Sequence, residues 1–531
     1  MEFSLKKAFA STMAAVVLST TGCATMDTNS NTEPLKLTTN SLSAGETKKI
    51  TDQQEAELLD ILSKASDATN AKIRYNKYFL KDTIQDIKAN YVQDKTDEEL
   101  NSLALAGARK LVKDNSSYTI AQFVEATLDG ILTKLDPHSD YLTPDETANM
   151  FARNEGNIVG IGVKLDYDEN RKLLIIEDLS SPDSPAAQAG LKKGDLISHI
   201  NGNSMYGKTS EDVIKLIKGE KGTKINITID RPGSRTPLEF EITRAKIEMN
   251  PVTYKALGDI GYVRLHIFNE RASGKVQEAV QELQKSIDNI KGYILDLRRN
   301  PGGLLNEAIN VTDRFLEEGD IVSSGKSPES VSAPTKAKAG DITHGAPIVI
   351  LVDGGSASAS EIVAEALQDH KRAIIIGNQT YGKSSVQTVR PLPVRLDGIK
   401  FTTEYYFTAS GDTLQNRGVI PDIATGFYGT LSDGRFNHSE GKYGNALPKP
   451  DPSAPANITR SFCDSSGTVI DLDKIDDTLL LKSRKTGKTE ADMQIFCAIE
   501  HLKGQENYTR TRDLTPDIKI ERYRTPEFNN S

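Results

Sequence analysis

The 531-residue sequence has no apolar run long enough for a permanent membrane helix, no excess of positive charge and only three cysteines. Each shortage excludes something. The apolar stretch from Ala8 to Gly22 falls short of the roughly 20 residues that cross a bilayer. A net charge of -9 leaves no electrostatic footprint for nucleic acid, and basic runs such as "LKSRKTGK" (481–488) read as solvated faces. With Cys23 set aside, Cys463 and Cys497 are the one internal pair, so they form a disulfide or remain two buried thiols. No internal repeat marks the chain as a solenoid.

What is present begins with an export signal. Lys6 and Lys7 precede the apolar stretch, and "TTGC" at its end resembles the bacterial lipobox, which implies lipidation at Cys23; plain secretion with cleavage near "GCA" is the alternative. A chain so exported is periplasmic or held in the cell envelope by its lipid anchor, and it meets an oxidising compartment. The residue after Cys23 is not Asp, which suits an outer-membrane destination where the cell has one.

The organisation after residue 23 changes with hydrophobic period. Residues 24–50 are rich in Thr, Ser and Asn and read as a flexible tether. Residues 51–150 repeat apolar positions at three and four and form an N-terminal helical domain. Over 155–246 the period falls to two in short segments such as "GIGVKLDY" and "KINITIDR", giving a small β-rich domain with one amphipathic helix, "SEDVIKLIKG". From 250 to 428 strands alternate with helices, the pattern of an α/β domain with a largely parallel sheet. Residues 445–531 supply a linker and a small C-terminal subdomain. The fold class is multidomain α+β.

Chemistry gathers in three loops of the α/β domain. "RRNPGG" follows "YILDLR", "GGSAS" follows "IVILVD", and "NQTYGK" follows "RAIIIG"; parallel strands joined by crossovers bring such loops to one sheet edge. A serine there needs a base. His370 ends the helix that the serines begin, roughly 18 Å away on the opposite edge. Lys383 returns to the serine's edge and is the better candidate, provided burial lowers its ordinary pKa of about 10.4. Backbone N–H groups at the helix start and in "NPGG" would stabilise an oxyanion. Each piece has a bland reading as an N-cap, an exposed lysine or a turn. Their convergence favours catalysis, with Ser356, Ser358 and Ser360 all open as the nucleophile. Asp136, His138 and Asp140 in "DPHSDY" lack further ligands at metal spacing, so no metal is expected.

These segments resemble the C-terminal processing (tail-specific) peptidases, serine enzymes with a Ser/Lys dyad and an embedded PDZ domain. The resemblance runs from about Ile87 to Ile423 and rests on "LTKLDPHSDYLTPDE", "GIGVKLDY", "SPAAQAGLKKGDLISHING", "LDLRRNPGG", "GGSASASEIVAEALQD" and "GNQTYGKSSVQT". It implies a crotonase/Clp-like core in which Ser358 is the nucleophile, Lys383 the general base and Gln387 the residue that orients the lysine. The last contact requires a turn, because four residues of strand span about 13 Å. It implies oxyanion donors at Ala359 and at Gly302 or Gly303, and a carboxylate-binding loop at Gly160, Ile161, Gly162 and Val163. Substrates would be proteins with apolar free C-termini, no cofactor would be needed, and the helical domain is where an adaptor would bind. The rival readings are a PDZ scaffold with a silent α/β domain and a crotonase-like acyl-CoA enzyme.

Overall fold

The computed structural model describes residues 44–168, 171–392, 396–425, 439–450, 461–463, 469–471 and 490–504. The export signal, Cys23 and most of the tether lie outside them.

Four helices come first: α1 (Ala44–Ser63), α2 (Asn70–Asn90), α3 (Asp97–Asp114) and α4 (Ile120–Leu135), followed by β1 (Asp140–Leu142) and α5 (Pro144–Asn154). Helix begins at Ala44, inside the stretch whose composition reads as tether. Thr96 with Glu99, Thr119 with Gln122 and Thr143 with Glu146 form capping boxes that start α3, α4 and α5, satisfying N–H groups a helix leaves orphaned. The apolar faces of these helices do not close on themselves. They pack Leu100, Phe123, Leu128 and Ile131 in one cluster with Phe401, Tyr405 and Phe407 of the downstream domain, so the helices and the antiparallel sheet carrying those aromatics share a core.

The β-rich domain follows as β2 (Asn157–Gly160), β3 (Val163–Asp168), β4 (Leu173–Leu179), α6 (Pro185–Ala189), β5 (Leu196–Ile200), β6 (Asn203–Ser204), α7 (Ser210–Ile217), β7 (Lys224–Asp230), β8 (Leu238–Thr243) and β9 (Ala245–Glu248). Its main sheet runs β3-β4-β5-β7-β8, with β6 beside β5, and encloses its own core of Ile176, Ile197, Val213 and Ile227. Strand β3 is an edge of that sheet. Entry and exit strands β2 and β9 pair antiparallel into a two-stranded ribbon.

The α/β domain comprises β10 (Val252–Leu257), β11 (Ile260–Leu265), α8 (Ala272–Ser286), β12 (Gly292–Asp296), α9 (Leu305–Asp313), β13 (Asp320–Gly325), β14 (Thr335–Lys336), β15 (Ile348–Val352), α10 (Ala359–Asp369), β16 (Ala373–Gly377), β17 (Ser385–Pro391), β18 (Gly398–Thr408) and β19 (Ile423–Thr425). Strands β11, β12, β15, β16 and β19 lie side by side and parallel, and β12, β15 and β16 are buried at every residue. That is why they read as unbroken apolar runs. A second sheet is antiparallel and joins β1 to β18, which also pairs with β13 and β17.

The described part of the C-terminal segment adds to this core. Strands β20 (Ser461–Cys463) and β21 (Val469–Asp471) extend the parallel sheet past β19, and α11 (Glu490–Lys503) covers its second face with Cys497, Ala498 and Leu502 against Ile294, Leu351 and Ile376. Cys497 is disulfide-bonded; the side chain of Cys463 lies outside the described residues. Gln494 of α11 accepts from Arg298 at 3.0 Å, and Arg298 pairs with the buried Asp296 at 2.6 Å.

Candidate active site

Because β12, β15 and β16 are parallel neighbours, the loops that leave their carboxyl ends meet at one edge. Hydrogen bonds stitch the three together. Ser356 Oγ donates to Leu297 O at 2.8 Å, Ser360 Oγ to Asn300 O at 2.9 Å, and Ala357 N to Asn300 O at 3.0 Å. Tyr381 N donates to Ser356 O at 3.0 Å and closes the third side. Ser356 and Ser360 are therefore buried structural hydroxyls. Ser358, half-buried between them, makes no side-chain cap to the helix it starts. It sits at φ 55° and ψ -114°, a left-handed conformation that a non-glycine residue adopts only where its surroundings impose it.

The backbone of this strained turn is bound by Glu361, one turn along α10 and fully buried. Its Oε2 accepts from Ser358 N at 2.8 Å and from Lys383 N at 3.0 Å, and its Oε1 from Gly382 N at 2.7 Å and from Thr380 Oγ1 at 2.5 Å. One carboxylate thus holds the backbones of Ser358 and Lys383 together. On the other side of the same two residues the buried Tyr406 hydroxyl donates to Lys383 O at 2.5 Å and lies 3.4 Å from Ser358 O. Burial pushes the Glu361 carboxyl up to about 7, against the pull of the Thr380 hydroxyl and the three backbone donors.

Lys383 is half-buried, and burial pushes its amine down to about 8; Glu440, Asp136 and Glu361 act against that shift while Lys400 adds to it. The Ser358 hydroxyl and the Lys383 amine are not hydrogen-bonded to each other in this structure. Gln387 turns elsewhere: its amide donates to Ser385 Oγ at 3.0 Å and Thr402 Oγ1 at 3.1 Å. It follows a register shift between Val386 and Gln387 in the β17–β18 ladder, and among the described residues it makes no hydrogen bond to Lys383.

The glycines of "NPGG" differ. Gly302 donates its N–H to Asn300 Oδ1 at 3.0 Å, and a Cβ there would stand 2.7 Å from Ala357 O and 2.9 Å from Ser358 Cβ. Gly303, at φ 146°, is drawn onto Phe268 by a parallel bridge, and its own N–H has no acceptor among the described residues. The N–H of Ala359, first in α10, has none either, as expected for a helix start. Of the two, the Ala359 N–H adjoins Ser358, and a donor so placed is of the kind that can hold an oxyanion.

In the β-rich domain Gly160 closes β2 and Val163 opens β3. Between them Ile161 O accepts from Ala186 N at 2.8 Å and Gly162 O from Ser180 N at 3.0 Å; the N–H groups of Ile161 and Gly162 have no acceptor among the described residues. The "DPHSDY" turn is built by Asp136, whose Oδ1 accepts from His138 N at 2.9 Å and Ser139 N at 3.1 Å. Asp140 lies 3.9 Å from Lys400.

Glu361, Tyr406 and Glu440 escape a reading of the sequence. A Glu three residues after a helix-starting serine has the look of an ordinary capping box, and only the spacing in "SASE" could have drawn attention to it.

Comparisons with known proteins converge on these same segments. Residues 259–425 match the model of peptidase family S41, and residues 179–231 match a PDZ domain model. A carboxy-terminal-processing protease of Bartonella bacilliformis is 43% identical over 304 residues, covering 57% of this chain and 69% of that protein. A probable CtpA-like serine protease of Staphylococcus haemolyticus is 35% identical over 314 residues, covering 58% and 61%. The solved photosystem II D1 C-terminal processing protease shares 28% identity at a TM-score of 0.41, covering 65% of this chain and 92% of that one.

Proposed function

This chain belongs to peptidase family S41 and carries a PDZ domain, and from that membership we propose that it is an exported C-terminal processing endopeptidase with a Ser358/Lys383 dyad. The observation that carries the dyad is the Glu361 carboxylate, which accepts from the backbone of both residues at once. In the neutral form Lys383 takes the Ser358 proton as Oγ bonds to the scissile carbonyl carbon. The N–H groups of Ala359 and Gly303 hold the oxyanion. Lys383 then passes the proton to the departing amine as the C–N bond breaks, and accepts one from the water that hydrolyses the acyl ester. Gln387 would orient the lysine only after a rearrangement of the β17 bulge.

Edge strand β3 and the unengaged N–H groups of Ile161 and Gly162 support a substrate tail added as a strand with its terminal carboxylate captured beside it. No helix among the described residues is long and apolar enough to cross a membrane; membrane association in this reading is assigned to lipid on Cys23. Cys23→Ser should release the protein from the membrane fraction; unchanged fractionation refutes the anchor. The absence of a Ser358–Lys383 hydrogen bond is the one feature that favours the scaffold reading. To discriminate, a form lacking residues 1–23 is given a model protein with an apolar C-terminal tail, either free or amidated. Cleavage of the free tail should be at least about tenfold faster, since amidation removes the charge the loop captures. No cleavage of either sinks the enzyme; equal rates sink tail recognition.

A further inference from the structure

Behind the lysine lies a second polar cluster, built from three distant parts of the chain. Glu440 is fully buried. Both of its oxygens meet His138 Nε2, at 2.9 and 2.8 Å, and its Oε1 accepts from Gln415 Nε2 at 3.5 Å. The Gln415 Oε1 accepts from Ser384 N at 2.9 Å, while Glu440 N donates to Tyr381 O at 3.1 Å. The turn carrying Lys383 is thereby gripped at Tyr381 and at Ser384, on both sides of the base, by groups that Glu361 does not touch. Residues 440–449 are themselves fastened: Gln415 and Asn416 donate to Leu447 O at 3.2 and 2.8 Å, and Asn445 donates to Thr133 O of α4 at 3.3 Å. Glu440 lies beyond the segment matching the peptidase family model.

We propose that His138, Glu440 and Gln415 form a positioning relay for the general base, gripping the turn that carries Lys383 at Tyr381 and Ser384 and keeping the buried Glu440 carboxylate on that side of it. This inference rests on the dyad reading. A buried carboxylate needs a partner, and His138 from the helical domain supplies it from one side while the neutral Gln415 supplies it from another. The charged and titratable groups facing this site are Lys383, His138, Tyr381 and Tyr406 around Glu440, with Tyr443 against Tyr381, and Glu440, Asp136, Glu361 and Lys400 around Lys383. Removing the Glu440 charge leaves Asp136 and Glu361 to hold the proton on the lysine and Lys400 unopposed in part, so the amine becomes a weaker base.

The test is the full chain with Glu440→Gln, read two ways. Trace labelling of Lys383 by acetic anhydride across pH reports the amine directly, whether or not peptide is cleaved; its midpoint should fall from about 8 by about half a pH unit or more. In tail cleavage, kcat should drop about tenfold with KM held, and the acid limb of kcat/KM should move to lower pH by the same step. His138→Ala removes the nearest partner of the Glu440 carboxylate while keeping the carboxyl group itself, so it should lower kcat, and it reports on the relay if Glu440→Gln fails to fold. An unmoved midpoint in Glu440→Gln overturns the counter-charge, and unchanged kcat in both variants overturns the positioning role. A midpoint that falls in Glu440→Gln while the unsubstituted chain itself cleaves no tail supports the relay and refutes the dyad reading instead.

Discussion

Ser358→Ala and Lys383→Ala should each lower kcat/KM for an apolar-tailed substrate by at least about a thousandfold, the scale on which loss of a nucleophile or its base is felt, while tail binding persists. Ser358 is half-buried with no side-chain cap to make, so its truncation removes chemistry and little packing. The sharper variant is Lys383→Arg. It preserves length and charge, but a guanidinium cannot be deprotonated in the working range, so it should be as inactive as the alanine variant if the residue is a base. With the amine pushed down to about 8, the wild-type kcat/KM should fall about tenfold per pH unit below that value. A Lys383→Arg enzyme with a substantial fraction of normal activity would end the dyad assignment.

Much of this geometry was legible because apolar period and topology act together. Runs such as "IVILV" and "AIIIG", alternating with helical patterns, read as strands of a largely parallel sheet, and neighbouring parallel strands deliver their following loops to one edge. That suffices to bring Ser358 and Lys383 together and to send His370 away, whose ring is hydrogen-bonded to Asp320 O at 2.7 Å. Other features depend on contacts that leave no periodic trace. Tyr406 lies mid-strand in β18 among residues that any sheet core would use. Glu440 follows the α/β segment and meets His138 across 302 positions. The place of Gln387 turned on a single register shift, which rotates a side chain without altering composition. The C-terminal segment reads as a separate subdomain because its linker is polar, yet α11 has an apolar face that only the uncovered side of the sheet could bury.

Glu361→Ala should cost on the order of 4 kcal/mol of stability, because it strands the N–H groups of Ser358, Gly382 and Lys383 and the Thr380 hydroxyl in a buried site, each at about 1–3 kcal/mol. Glu361→Gln separates geometry from charge. The amide keeps one acceptor oxygen but turns an NH2 toward donors, so one of the two loops must be released and the Ser358–Lys383 approach with it. Cleavage should drop at least about a hundredfold, mostly in kcat, and Glu361→Asp, which keeps the charge but is one methylene short, should recover part of that loss. Stability carries an independent signature. Burial raises this carboxyl from 4.5 to about 7, so the folded form retains a proton that the unfolded chain has already lost between those values. The stabilisation from that retained proton is complete below 4.5 and disappears as pH rises through 7. Melting temperature across this window should therefore decline with pH in the wild type more steeply than in Glu361→Gln, where the titration is gone. Parallel profiles, together with near-normal cleavage by Glu361→Gln, would mean that the strained Ser358 turn is held by its other contacts and that the shared carboxylate is only a cap.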